Sequence, residues 1–211
     1  MARVDQVSHP LVAHHLLRLR DCRTEPAEFR LLVGRLAVLL AYEATKDLHM
    51  TEVSVVTPLG PATGHQLSRR VGLVPILRAG LGMVDPVLNL IPAAEVWHLG
   101  LYRDEATATP VEYYSRLPAT RPVDVALVLD PMLATGGSAV AALESLRRWG
   151  VAQTKLLSII AASAGLDLVT RDFPETQIYV CAIDPELNDQ KFIVPGLGDA
   201  GDRIFNTRPD S

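Results

Sequence analysis

Cysteine, positive charge and long apolar runs are all scarce in this chain. Cys22 and Cys181 are the two cysteines among 211 residues, and they lie far apart. With no CxxC pair there is no disulfide framework, and so low a thiol count fits a reducing cytoplasm. Lysine and arginine number 20 against 24 acidic residues, a formal net charge of −4. A protein that coats nucleic acid is normally basic, so this balance argues against that class and requires any anion site to be local. The longest membrane-like run, residues 36–41, is too short to span a bilayer and is bracketed by Arg35 and Glu43. Residues 1–6 lack the apolar centre of a secretion signal. No repeat, low-complexity tract or linker interrupts the chain, so a single domain over 1–211 is expected.

What is present suits an α/β core. Hydrophobic residues make up 48% and charged residues 21%, enough for a packed interior. Apolar spacing predicts helices over 10–21 and 26–47. The second carries Phe29, Leu32, Leu36, Leu39 and Leu40 on one stripe, with Thr24 and Glu28 suggesting its cap. Apolar runs predict strands at 53–56, 72–77, 95–101, 125–129, 155–162 and 177–183. Prolines and glycines from 58 to 64 mark a loop after the first of these. Helical spacing returns at 83–90, 139–149 and 165–172. Residues 106–122, with Tyr113 and Tyr114, read as an excursion from the sheet, a β-arm. This alternation predicts a mostly parallel central sheet flanked by helices. His14 and His15 are adjacent, so on a helix they diverge and make poor joint metal ligands.

The chain is organised around residues 125–138. Five apolar residues form a strand that ends in Asp130. Pro131, Met132, Leu133, Ala134, Thr135, Gly136, Gly137 and Ser138 then form a loop, and a helix follows. Such a loop sits at the carboxyl end of a strand, where open sheets bind ligands. The helix start offers free N–H groups and the positive end of a dipole. Gly136 and Gly137 allow close approach of an anion, and Thr135 and Ser138 add hydroxyl donors. A carboxylate beside a phosphate nest is repulsive, so Asp130 makes sense if it binds sugar hydroxyls or a metal. Neither Gly-Lys-Ser/Thr nor G-x-G-x-x-G occurs at this turn, which sets aside the two commoner phosphate loops. An ordinary strand-to-helix turn remains the plain alternative.

Two further stretches carry chemistry. Arg78-Ala79-Gly80-Leu81-Gly82 follows a buried strand and places a guanidinium where it can take a phosphate bidentately, or pair with an acid. Arg103 is a second cation at a strand end. In the tail, Gly196, Gly198 and Gly201 satisfy G-x-G-x-x-G literally, but ten residues after Gly201 are too few for a dinucleotide unit. Backbone groups around Ile193, Gly198, Asp199 and Ala200 could instead meet the polar edge of a small planar ligand, unless this is a surface turn.

Taken together, 74–83, 130–138 and 193–203 resemble three ligand loops of the uracil phosphoribosyltransferase family, within the type I phosphoribosyltransferases. Residues 100–104, 110–114 and 42–45 fit the same pattern. Pro86, Trp97, Asn206 and the Ser163-Ala164 pair depart from it, all outside those loops. The resemblance implies a type I phosphoribosyltransferase-like fold with a core over about 50–185. It implies a hood from the N-terminal helices and residues about 186–211. It implies transfer of the 5-phosphoribosyl group of 5-phosphoribosyl 1-pyrophosphate (PRPP) to uracil N1, giving UMP and pyrophosphate in pyrimidine salvage. Arg78, Arg103 and Asp130 would be catalytic. PRPP would lie on these, on residues 131–138 and on Asp199, and uracil on Ile193, Gly198, Asp199 and Ala200. Mg²⁺ would be held mainly by PRPP and water rather than by protein ligands. A cytoplasmic homodimer or higher homo-oligomer is expected, without nucleic-acid or membrane partners, and GTP is an effector known in some relatives.

Overall fold

The computed structural model describes residues 3–103, 110–115, 117–118 and 120–207, with the backbone alone for 101–103 and 110–115. The chain opens with β1 (Arg3–Gln6), α1 (Pro10–Arg20), α2 (Pro26–Ala44), β2 (Met50–Thr57) and β3 (Gly60–Leu67). The middle holds β4 (Val71–Pro75), α3 (Leu81–Leu90), β5 (Glu95–Val96), β6 (Leu99–Arg103), β7 (Pro110–Ser115), β8 (Val125–Leu129) and β9 (Met132–Leu133). The last third holds α4 (Gly137–Trp149), β10 (Gln153–Ala162), α5 (Ser163–Asp172), β11 (Gln177–Asp184), β12 (Glu186–Leu187), β13 (Ile193–Val194) and α6 (Ala200–Phe205).

Among the described residues seven strands form the central sheet, in the order β1-β11-β10-β8-β4-β5 with β9 beside β10. Every pairing in it is parallel. β4 and β8 are buried at all positions. Helices cover both their faces, which is why they read as continuous apolar runs rather than alternating ones. On one face α1, α2 and α3 pack Leu16, Phe29, Leu36 and Met83 against Leu73, Leu127 and Leu157. On the other, α4 and α5 pack Leu143, Leu146 and Val169 against Val74, Val128 and Val180. α2 therefore lies on the sheet. The end of α1 and the residues after 186 meet over the strand ends.

One fully buried cation ties the layers. Lys155 Nζ donates to Ala44 O at 2.6 Å, at the end of α2, and pairs with Asp47. A positive charge suits a helix carboxyl end. Lys155→Met removes that donor and should lower the unfolding free energy by about 1–3 kcal/mol in urea titrations. Because Lys155 lies near the amino end of β10, away from the carboxyl strand ends where the expected ligand loops start, ligand binding should be unchanged.

Several expectations need correction. The loop after the first strand is a hairpin, β2 paired antiparallel with β3. Pro58 sits in its turn, and Pro61 lies in a strand with one neighbour, where a missing N–H is tolerated. Thr57 fastens the turn, its Oγ1 accepting from Leu59 N and Gly60 N at 3.2 Å each. The single strand expected over 95–101 is broken at Trp97. β5 stays in the sheet, and β6 leaves to pair antiparallel with β7, the arm expected from 106–122. Trp97 packs edge-on against Trp149, with centroids 5.6 Å apart. β1 had no apolar signature because it is a half-exposed edge strand. The Thr24–Glu28 cap does not form. Glu25 holds the cap position without a side-chain bond, and the Thr24 hydroxyl donates to the Arg18 carbonyl. Asn206 ends α6 at φ 55°, a left-handed position that asparagine tolerates.

Candidate active site

β4 and β8 are neighbours, yet the chain leaves them in opposite directions. β4 continues through α3 to β5 at one edge, and β8 continues through α4 to β10 on the other side. This reversal opens a crevice at their carboxyl ends. Both glycine-bearing loops start there.

After β8, Asp130, residues 132–136, Ser138 and Ala139 line a small hollow of ≈ 80 Å³. With about 30 Å³ per water, that is room for a few waters or one small oxyanion. Gly136 precedes α4 at φ 86°, a left-handed conformation suited to glycine. A Cβ there would stand 2.9 Å from Gly165 O, and a Cβ on Gly165 would stand 2.5 Å from Ala134 O. The start of α5 thus supports the loop from behind, at the segment where the sequence departs from the family pattern. Val140 N donates to Gly136 O at 2.9 Å, so the helix ladder begins there and the amides of Gly137, Ser138 and Ala139 precede it.

Some loop groups are already engaged. Pro131 has no N–H, and its carbonyl accepts from Ile159 N and Ile160 N at 3.1 Å each. Leu133 buries its side chain. Ala134 N donates to Met132 O at 3.1 Å, so the amides facing an anion begin at Thr135. Asp130 is largely enclosed, and one weak donor, Met132 N at 3.4 Å, reaches its Oδ1. Desolvation pushes its carboxyl up to about 7, and that backbone hydrogen bond opposes the shift.

The loop after β4 is stitched to the first. Ile76 N donates to Leu129 O at 3.0 Å and Gly80 N to Ile76 O at 2.9 Å. Arg78, mostly exposed, takes the alternative noted for it and pairs with an acid. Its Nη2 lies 3.2 Å from Asp202 Oδ1, and its Nη1 donates to Thr207 Oγ1 at 3.3 Å. Asp202 also accepts from the Thr207 hydroxyl at 2.8 Å. Asp202 and Thr207 were missed from the sequence, although the acids of Asp199-Ala-Gly-Asp202 mark a helix start. Asp199 caps α6, its Oδ1 accepting from Asp202 N at 2.8 Å. The literal G-x-G-x-x-G ends inside this short helix, so no dinucleotide unit follows.

Arg78 thereby joins the β4 loop to the tail, and a Cβ on Gly82 would stand 3.0 Å from Ile204 Cδ1. Ile193 and Ala200 are buried, while Gly198 and Asp199 are exposed. Three of the expected loops therefore converge. Arg103 closes β6, and its side chain lies outside the described residues, as do those of Tyr113 and Tyr114. Among the described residues no cluster of three His, Cys, Asp or Glu side chains forms a metal cage. One enclosed carboxylate beside a small hollow fits a hard cation that takes most of its oxygen ligands from substrate and water. No described helix is long and apolar enough to cross a membrane.

A parallel sheet with an acid-tipped, glycine-bearing loop at its switch point places the protein among α/β folds that bind ligands at the carboxyl ends of their strands. A family model described as uracil phosphoribosyltransferase matches residues 6–207. The chain is 58% identical over 207 residues to the uracil phosphoribosyltransferase of Roseiflexus sp. (strain RS-1), covering 98% of this chain and 100% of that protein. It is 51% identical over 209 residues to that of Halalkalibacterium halodurans, covering 99% and 100%. Among solved structures, the AQ2163 protein from Aquifex aeolicus matches with a TM-score of 0.92 at 37% identity, covering 98% of this chain and 100% of that one. The chain belongs to the uracil phosphoribosyltransferase family.

Proposed function

We propose that this protein transfers the 5-phosphoribosyl group of PRPP to uracil N1, yielding UMP and pyrophosphate in pyrimidine salvage. The observation that carries the reading is the Asp130–Ser138 loop, opening a helix at the switch point of the sheet. In the reaction the ribose C1–oxygen bond to pyrophosphate breaks, a bond from C1 to uracil N1 forms, and the N1 proton is lost. Positive charge builds on the ribose ring, so catalysis is mainly electrostatic and positional.

The amides from Thr135 to Ser138, with the Thr135 and Ser138 hydroxyls, hold the 5-phosphate. Asp130 accepts from ribose hydroxyls, and does so most strongly when ionised. Arg78 and Arg103 hold the pyrophosphate, Arg78 exchanging Asp202 for it. Backbone groups of Ile193, Gly198, Asp199 and Ala200 read the uracil edge. Asp199, beside Asp202, links the base site to the pyrophosphate side. Bound Mg²⁺ supplies charge neutralisation on the leaving group. Asp130 and Asp199 are the protein carboxylates that would help to hold it.

The chain is read as one domain, with a hood built from the end of α1 and the residues after about 186. A homo-oligomer is supported by the β2–β3 hairpin, whose strands pack on each other and on little else while Val55, Val56 and Leu59 are exposed. A lone hairpin is marginal in water. The unpaired Cys22 and Cys181 are consistent with the cytoplasm. GTP stands as a candidate effector, tested by adding it to the assay below.

Incubation with Mg²⁺, PRPP and each of uracil, cytosine, hypoxanthine and orotate should release pyrophosphate with uracil alone. Release with another base and none with uracil would contradict the assignment. Arg78→Ala should raise the KM for PRPP by about 10–100-fold and that for uracil far less, because a charged contact to pyrophosphate is lost. Equal rises in both would remove Arg78 from the pyrophosphate.

A further inference from the structure

The loop proposed to read the base is held from behind by three charged side chains, two of which, Arg20 and Asp184, lie outside every motif in the sequence. Arg20, the last residue of α1, donates from Nη1 and Nη2 to the two oxygens of Asp184 at 2.7 and 2.6 Å. The same Nη1 donates to Gly196 O at 2.7 Å. Gly196 N donates back to Asp184 Oδ2 at 3.0 Å. Asp184 ends β11, and its side chain is 6% exposed against 21% for Arg20. Arg203, on α6, stacks over the Phe29 ring at 4.2 Å. Its Nη1 donates to Leu197 O and Leu19 O at 2.8 Å each, and its Nη2 to Asp21 O at 2.7 Å. Two successive loop carbonyls, 196 and 197, are thus tied to guanidiniums from α1 and α6. The turn itself has little freedom: Gly196 sits at φ 61°, and a Cβ on it would stand 2.0 Å from Ile193 O.

A buried ion pair is weak evidence for stability, because desolvation offsets the attraction, and fixing a register is its better-attested use. Here both partners also bond one loop residue, Arg20 at its carbonyl and Asp184 at its amide. A pair serving only to hold α1 on β11 needs neither bond. The geometry points to Arg20, Asp184 and Arg203 as positioning residues that set the backbone of 196–200 for base recognition. The inference rests on the reading that residues 193–200 contact uracil. Recognition of a polar edge depends on placement, and a misplacement of about 1 Å can lose two orders of magnitude. Disturbing the clamp should therefore act on uracil and base choice, not on PRPP.

The test uses the full chain as Arg20→Lys and as the double variant Arg20→Met/Asp184→Leu. Lysine keeps the charge but cannot fork across both Asp184 oxygens and the Gly196 carbonyl. The apolar pair replaces the ion pair without leaving a buried charge unpartnered, so the chain should still fold, with a lower melting temperature because Gly196 loses its two side-chain partners. Both variants should raise the KM for uracil at least about tenfold, with the KM for PRPP within about twofold. Amide exchange should quicken over 193–200 and not in the sheet. A wild-type uracil KM in either folded variant, or an equal rise in both KM values, overturns the inference. Should the wild type form no UMP, the functional reading fails by itself and exchange decides the clamp. Unchanged protection of 193–200 in the variants then overturns it.

Discussion

Asp130→Asn is expected to lower kcat by about two to three orders of magnitude while raising the melting temperature above neutral pH. The two effects share one cause. The Asp130 carboxyl is enclosed with one weak donor, and burial lifts it to about 7. A carboxyl raised in the folded state carries an ionisation cost that is absent below its ordinary pKa near 4. The cost grows as pH rises and is complete above about 7. Asparagine removes the cost, so the variant should melt about 3–8 °C higher at pH 8 and alongside wild type near pH 4. The amide cannot accept two charge-assisted bonds from ribose hydroxyls, and the transition state loses a negative neighbour. In wild type kcat/KM for PRPP should fall as pH drops below about 7, and the variant should lose that limb. Near-wild-type kinetics would take Asp130 out of the mechanism. A melting curve parallel to wild type at all pH values would mean that the carboxyl is well solvated.

Gly80→Ala is expected to damage both stability and PRPP binding. Gly80 has ordinary helical dihedrals, so the difficulty is space rather than conformation. A Cβ there would stand 2.3 Å from Leu129 O and 2.7 Å from Ile76 N and O. All are backbone atoms, and they belong to the stitch between the two phosphate-side loops. The chain cannot relieve the overlap without parting β4 from β8 at the crevice. A loss of about 3 kcal/mol or more in stability should accompany a large rise in the KM for PRPP. Gly64→Ala is the matched control. It lies in the exposed hairpin with nothing within 4 Å of the added carbon, so its stability should change by less than about 0.5 kcal/mol. If Gly80→Ala folds and binds PRPP like wild type, the loops are not mechanically joined.

The parts of this molecule legible in its sequence were those fixed by local chemistry. β4 and β8 announce themselves because a strand covered on both faces must be apolar throughout. The 130–138 loop announces itself because an anion seat needs small residues, hydroxyls and a helix start in a row. What escaped depends on partners far along the chain. Arg78 meets Asp202, 124 residues away, and Arg20 meets Asp184 at a separation of 164. No spacing rule encodes such pairs, since the topology chooses them. The β2–β3 hairpin was half missed because proline argues against a strand in general, although an edge strand tolerates it. β1 was missed because an edge strand needs little apolar surface. The Thr24–Glu28 pattern misled because the two residues stand four apart, one more than a capping box allows, and the helix starts at Pro26 with Glu25 in the cap position.

The most direct measurement is a crystal structure of the protein soaked with PRPP and Mg²⁺. The 5-phosphate should rest on the amides from Thr135 to Ser138, with ribose hydroxyls on Asp130 and pyrophosphate oxygens at the Arg78 guanidinium. A 5-phosphate bound anywhere else, with the loop after Ala134 left free, would contradict the central assignment and the uracil site that depends on it.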